Sequence, residues 1–108
     1  MAKYRVDVSE PAENDLRYIV RYIVRYIASK SYAPISALHM MEFLEEAMAG
    51  LSDMPQRYPY VADELLSQMG YRKLLVKNYF VFFSVDEKKK VVDVERILYA
   101  RRDWLRIL

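Results

Sequence analysis

A chain of 108 residues can bury a real apolar core without disulfides or metals as staples, and is expected to form one domain over residues 1–108. It has no cysteine and one histidine, His39, which excludes disulfides and thiolate chemistry and leaves transition metals poorly served; no metal site and no cofactor is expected. The net charge of +2 hides an asymmetry: residues 1–70 carry 7 basic and 10 acidic side chains, a net −3, and residues 71–108 carry 10 and 5, a net +5. A basic functional face is therefore expected on the C-terminal third. No apolar run of signal-peptide type opens the chain, and no stretch approaches the roughly 20 apolar residues of a membrane span, so a cytoplasmic setting away from membranes is expected.

Residues 3–9 alternate, with Tyr4, Val6 and Val8 on one face and Arg5 and Asp7 on the other, which predicts a half-buried strand. Ser9-Glu10-Pro11 reads as a helix start: Ser9 as N-cap, Pro11 in the first turn, Glu10 and Glu13 favourable to the helix dipole. The helix is expected to run to about Ser29. Within it Arg-Tyr-Ile-Val recurs from Arg17, Arg21 and Arg25, the last copy ending in Ala28. A four-residue repeat on a 3.6-residue turn drifts by about 40° per copy, so each residue type forms a slowly turning stripe. Leu16, Ile19, Val20, Ile23, Val24 and Ile27 make a broad apolar band, with the tyrosines beside it and the arginines beyond. The tyrosine and arginine stripes form a candidate protein-binding surface.

After a short break at 31–33, Pro34 opens a second helix over 33–51, whose apolar side includes Leu38, Met41, Leu44 and Met48. Glu42, Glu45 and Glu46 belong to its solvated side. Gly50 and Pro55 end it. A proline-containing loop follows, then a short helical stretch over 63–69. The remainder reads as an antiparallel meander: strands at 71–76, 79–85 and 91–98, joined by Lys77-Asn78 and by the charged turn 86–90. The fold class is α+β: an N-terminal strand, a helical hairpin, then a three-stranded antiparallel meander, with the hairpin on one face of the sheet. The middle strand is apolar on both faces, Tyr79, Val81, Phe83 and Val85 on one and Phe80 and Phe82 on the other. The second face is expected to be covered by a partner protein. Trp104 is expected to pack over the sheet edge and hold the C-terminal segment.

The order of these elements, the opening Ser9-Glu10-Pro11-Ala12-Glu13-Asn14-Asp15-Leu16, Asp53-Met54-Pro55, Gly70-Tyr71-Arg72, Tyr79-x-Val81-Phe82-Phe83 and Arg96-Ile97-Leu98-Tyr99-x-Arg101-Arg102-Asp103 together resemble the RelE/ParE toxin superfamily, over essentially the whole chain. The resemblance implies a toxin of a bacterial type II toxin–antitoxin module, of the kind first described as plasmid-stabilisation proteins, inhibiting growth and silenced by a cognate antitoxin. It implies two modes of action. ParE-like members bind DNA gyrase as protein inhibitors; RelE-like members cut mRNA in the ribosomal A site.

Aligned on Gly70-Tyr71 and Tyr79-x-Val81, Arg72 and Arg101 fall on cationic positions of the nuclease branch, while Leu74, Phe80 and Ile107 fall where that branch places a lysine, an arginine and a tyrosine. Inhibition of a protein target such as gyrase is therefore the first expectation, on the ParE side of the superfamily. Ribosome-dependent mRNA cleavage is the alternative, with Arg72, Arg96 and Arg101 as phosphate-binding residues and Tyr99 as the proton-transfer group. An inactive member acting only as a binding module is a third reading. Tyr18, Tyr22, Phe80 and Phe82 are the expected antitoxin contacts.

Overall fold

The computed structural model describes residues 3–27 and 33–108. In chain order these form β1 (Arg5–Val8), α1 (Glu10–Ile27), α2 (Ala33–Gly50), a 3₁₀ turn at Pro55–Arg57, α3 (Glu64–Gln68), β2 (Arg72–Val76), β3 (Tyr79–Asp86), β4 (Val91–Tyr99) and a second 3₁₀ turn at Trp104–Arg106. The expected break at Ser31 and Tyr32 lies outside the described residues, as does the expected end of the first helix at Ala28 and Ser29.

The four strands form one sheet in the order β1-β4-β3-β2. The meander is antiparallel as expected, and β1 joins its β4 edge in parallel, Arg5 opposite Val91 through Val8 opposite Val94. Ser9 is the joint between strand and helix. Its Oγ accepts from the Ala12 N–H at 3.1 Å and donates to the Glu95 carbonyl at 2.9 Å, while its own N–H donates to the Val94 carbonyl at 3.0 Å. One side chain thus caps α1 and fastens its first turn to β4, a cap worth about 1 kcal/mol.

The register of β3 against β4 shifts between Phe82, opposite Arg96, and Phe83, opposite Val94. Glu95 is the extra residue of a β-bulge on β4. The bulge explains why Val92, Val94 and Ile97 all enter the same core, a spacing that strict alternation forbids. That core joins Ile19 and Ile23 of α1 and Leu44, Met48 and Leu51 of the second helix and its end to Val81, Phe83, Val92 and Val94 of the sheet. Leu16 and Val20 are half-buried, and His39, Glu42, Glu45 and Glu46 are exposed.

The other face of the sheet differs from expectation. Phe82 and Leu98 are buried there with Val61 and Leu66, and Tyr71, Phe80, Trp104, Ile107 and Leu108 pack around them. The Trp104 ring lies 5.1 Å from Phe82 and 6.4 Å from Phe80, centroid to centroid. The chain itself therefore closes its second apolar face, using α3, whose cap Asp63 accepts from the Leu66 N–H, and the C-terminal segment. Trp104 does pack on the sheet, but over the face of the inner strand β3 rather than over an edge, and it is half-buried. No helix among the described residues is long and apolar enough to cross a membrane.

Candidate functional site

Ser9 fastens the start of α1 to β4, and farther along a cleft of about 590 Å³ lies between the helix and the end of β4. Helix residues Asn14, Asp15, Tyr18, Ile19 and Tyr22 form one wall; Arg96 to Tyr99 of β4, Tyr79 of β3 and Arg102 form the other. The tyrosines of the first two repeat copies reach it because they flank the buried Ile19 and Ile23. Tyr18 and Tyr22 stay 63% and 46% exposed and Tyr99 42%, so each ring is partly solvent-facing. Tyr79 meets Tyr99 edge-on at 5.8 Å. Burial raises the Tyr79 phenol above its ordinary value, and the neighbouring Tyr22, Tyr99 and Tyr18 add to the shift, so it stays protonated.

The floor of the cleft is an ion pair. Asp15 accepts from Arg96 through both oxygens, at 2.8 and 2.9 Å, and also from the Ile97 N–H at 2.9 Å. The carboxylate and guanidinium are 12% and 25% exposed. The hydrogen bond to Asp15 holds the Arg96 guanidinium above its ordinary value, outweighing partial burial. Arg96 is thus occupied in fastening α1 to β4. Arg102, by contrast, is exposed at the cleft and makes no ion pair among the described residues.

Of the four residues named for phosphate chemistry, Arg96 and Tyr99 line the same cleft, but Arg72 lies apart from them. Arg72 donates to the Tyr58 and Gln56 carbonyls at 2.7 and 3.2 Å and lies over the Tyr60 ring at 3.9 Å, fixing the loop beside β2. It sits opposite Phe83, whereas Tyr99 sits opposite Tyr79 two strands away. Four residues along and two strands across separate the two backbones by roughly 16 Å. Arg96 belongs to Asp15, and Arg101 is exposed just beyond β4.

Of the four expected antitoxin contacts, Tyr18 and Tyr22 lie on the open cleft, but Phe82 is fully buried and Phe80 half-buried beneath the C-terminal segment. The expectation of an open Phe80/Phe82 face is corrected: short flanking segments supply the cover that the strand pattern demanded. Asp15 and Tyr79 were not named as site residues from the sequence. Asp15 lies six residues after the cap, a spacing that no local rule marks.

A second polar cluster occupies the face of the C-terminal segment. Ser84 Oγ donates to Glu95 at 3.3 Å. Burial, aided by Asp93, pushes the Glu95 carboxyl above its ordinary value, and burial followed by the charge of Glu95 raises Tyr71. At the far end of the sheet, Tyr4 donates to Glu87 at 2.7 Å and accepts from Gln56 at 2.6 Å, tying the β3–β4 turn to the loop after α2. Among the described residues no group of three or more acidic or histidine side chains is placed to hold a metal ion.

This architecture is that of the RelE/ParE superfamily. The structure of the chromosomal ParDE toxin–antitoxin system from P. aeruginosa is similar, with a TM-score of 0.72 at 18% identity over 94% of this chain and 100% of that one. The toxin–antitoxin complex RelBE2 from Mycobacterium tuberculosis is also similar, with a TM-score of 0.58 at 20% identity over 90% of this chain and 98% of that one. No curated protein matches the chain in sequence. The family model for the ParE toxin of the type II toxin–antitoxin system parDE matches residues 6–104. The chain belongs to that family.

Proposed function

We propose that this toxin acts by binding a protein target such as DNA gyrase, without catalysis of its own, and that a cognate antitoxin silences it by contacting the tyrosine face of α1. The observation that carries the first half is that neither named cation of the sheet is free beside Tyr99: Arg96 shares its cleft but is paired, and Arg72 lies elsewhere. Arg72 is committed to the 56–60 loop and Arg96 to Asp15, and Arg72 stands roughly 16 Å from Tyr99 along and across the sheet. Phosphoryl chemistry requires cations and a proton-transfer group gathered around one phosphate. The family assignment supports the antitoxin, since both similar structures are described as toxin–antitoxin systems or complexes. Exposed Tyr18 and Tyr22 supply the kind of aromatic area that protein interfaces use.

The test compares purified toxin in two assays. Inhibition of gyrase-driven supercoiling with intact mRNA on ribosomes is the expected result. Cleavage of mRNA in the ribosomal A site, abolished by Arg101→Ala, would overturn it. For the antitoxin contact, Tyr22→Ala is expected to weaken the complex by more than about 1 kcal/mol, as an aromatic anchor should. Unchanged affinity in a folded Tyr18/Tyr22 double variant would remove α1 from the interface.

A further inference from the structure

β4 outlasts its parallel neighbour. β1 accompanies it from Val91 to Val94, then the chain turns at Ser9 into α1, while β4 continues to Tyr99. Along that open side, Ser9 Oγ takes the Glu95 carbonyl and Asp15 takes the Ile97 N–H. The Ala100 N–H points the other way, to Asn78 at the start of β3. The two-residue alternation of a strand therefore turns the Ile97 C=O and the Tyr99 N–H toward the side away from β3. That side is the tyrosine cleft.

The cleft also carries a net charge. Arg96 and Arg102 line it against one carboxylate, Asp15, already taken by Arg96. Arg102 is left without a carboxylate partner among the described residues, in a cleft that tyrosines also line. A strand edge with outward N–H and C=O groups is complementary to another main chain, with side-chain pockets reading every second residue. Nucleic-acid bases would use the rings but not this edge.

We infer that the cleft takes a short extended segment of the antitoxin, laid along β4 past the end of β1. Its backbone bonds Ile97 and Tyr99, an apolar side chain enters among Tyr18, Tyr22 and Tyr99, and a carboxylate meets Arg102. The edge from 97 to 99 accommodates about three residues at strand spacing. This inference rests on the antitoxin reading above and adds to it an address, a backbone mode and a sign of charge.

The experiment follows the Tyr99 amide by NMR hydrogen exchange in full-length toxin, alone and mixed with the protein encoded by the adjacent reading frame. Protection of Tyr99 in the complex is expected. Arg102→Glu should weaken binding by about tenfold or more, and Arg102→Lys by less than about threefold, since the contact is chiefly electrostatic. Arg102 is exposed and unpaired among the described residues, so both variants should fold; if the glutamate variant does not, amide protection in the wild type decides alone. A complex that leaves Tyr99 unprotected, or binds Arg102→Glu equally well, overturns this address and leaves the antitoxin reading standing. Failure to form any complex overturns both. Protection of Tyr99 by mixed-sequence single-stranded RNA, and not by the protein, overturns the peptide occupant.

Discussion

On the helix side of the sheet, Val81, Phe83, Val92 and Val94 are closed over by two long helices that precede the meander in the chain. On the opposite side, Phe82 and Leu98 are closed over by short segments bordering the same strands, Val61 and Leu66 before them and Trp104, Ile107 and Leu108 after. β3 serves both cores at once, which is why it is apolar on both faces. The helix side is held by long-range ties, Ser9 to β4 and Asp15 to Arg96, and opens at one end into the tyrosine cleft. The tail side is held by ring stacking and local turns, and its half-buried Phe80 and Trp104 are its margin. The proposed antitoxin contact accordingly falls at the tyrosine cleft and not on the second face of the sheet, which already has its cover.

The largest expected effect tests whether the tail side is a true core. Phe82→Ala should cost about 3–5 kcal/mol, since it removes a fully buried ring that the short segments cannot collapse to replace. The corresponding fall in thermal midpoint is about 12 °C or more for a domain of this size. A fall of less than about 5 °C would mean the two faces are not comparable cores.

Trp104→Ala should cost less, about 2–3 kcal/mol, because the indole is half-buried though stacked on Phe82. It is the sole tryptophan, so its fluorescence reports on the tail side directly. Coincident denaturant midpoints by fluorescence and far-ultraviolet circular dichroism are expected. An earlier fluorescence transition would show that the tail side opens independently of the helix side.

Asp15→Ala strikes the helix side instead. It strips a bidentate partner from Arg96 and an acceptor from the Ile97 N–H, at an expected cost of about 2 kcal/mol after allowing for partial exposure. Asp15→Asn keeps an acceptor for Ile97 and should lose less. Equal urea midpoints for wild type and the alanine variant would show that the pair does not tie α1 to β4.

The smallest effect is a pH dependence. The Glu95 carboxyl is raised above its ordinary value of 4.5 in the folded chain, chiefly by burial. Its contribution to stability is thus fully present below the ordinary glutamate range and is lost as pH rises through the raised value. Glu95→Gln should therefore be slightly more stable than wild type at neutral pH, with the difference closing below about pH 4. A glutamine variant that is less stable at neutral pH would indicate that the carboxylate is favoured by groups around it.

Much of the fold was legible because it is written in short-range patterns. The alternation of Tyr4, Val6 and Val8, the Ser9 cap and the β-branched and aromatic runs each act over a few residues, and each produced the expected element. The bulge at Glu95 left only an indirect trace, the three-residue step from Val94 to Ile97. The site was less legible. Tyr18 and Tyr22 could be placed beside an apolar stripe, but nothing in their spacing says that Tyr79, Tyr99 and Arg102 stand opposite them.

The sequence by itself determined the order of elements and most inward residues of the strands and helices, because periodicity and capping are local properties of the chain; the toxin family was legible through the resemblance of its ordered motifs. Only the tertiary structure decided which charges are spent and which aromatics are open. Arg96 meets Asp15 from 81 positions away, Arg72 is held by the Tyr58 carbonyl, and Phe82 lies beneath Trp104. Such pairings depend on which segments meet across the sheet. A guanidinium or a ring has the same local pattern whether it faces solvent, a carboxylate or another ring.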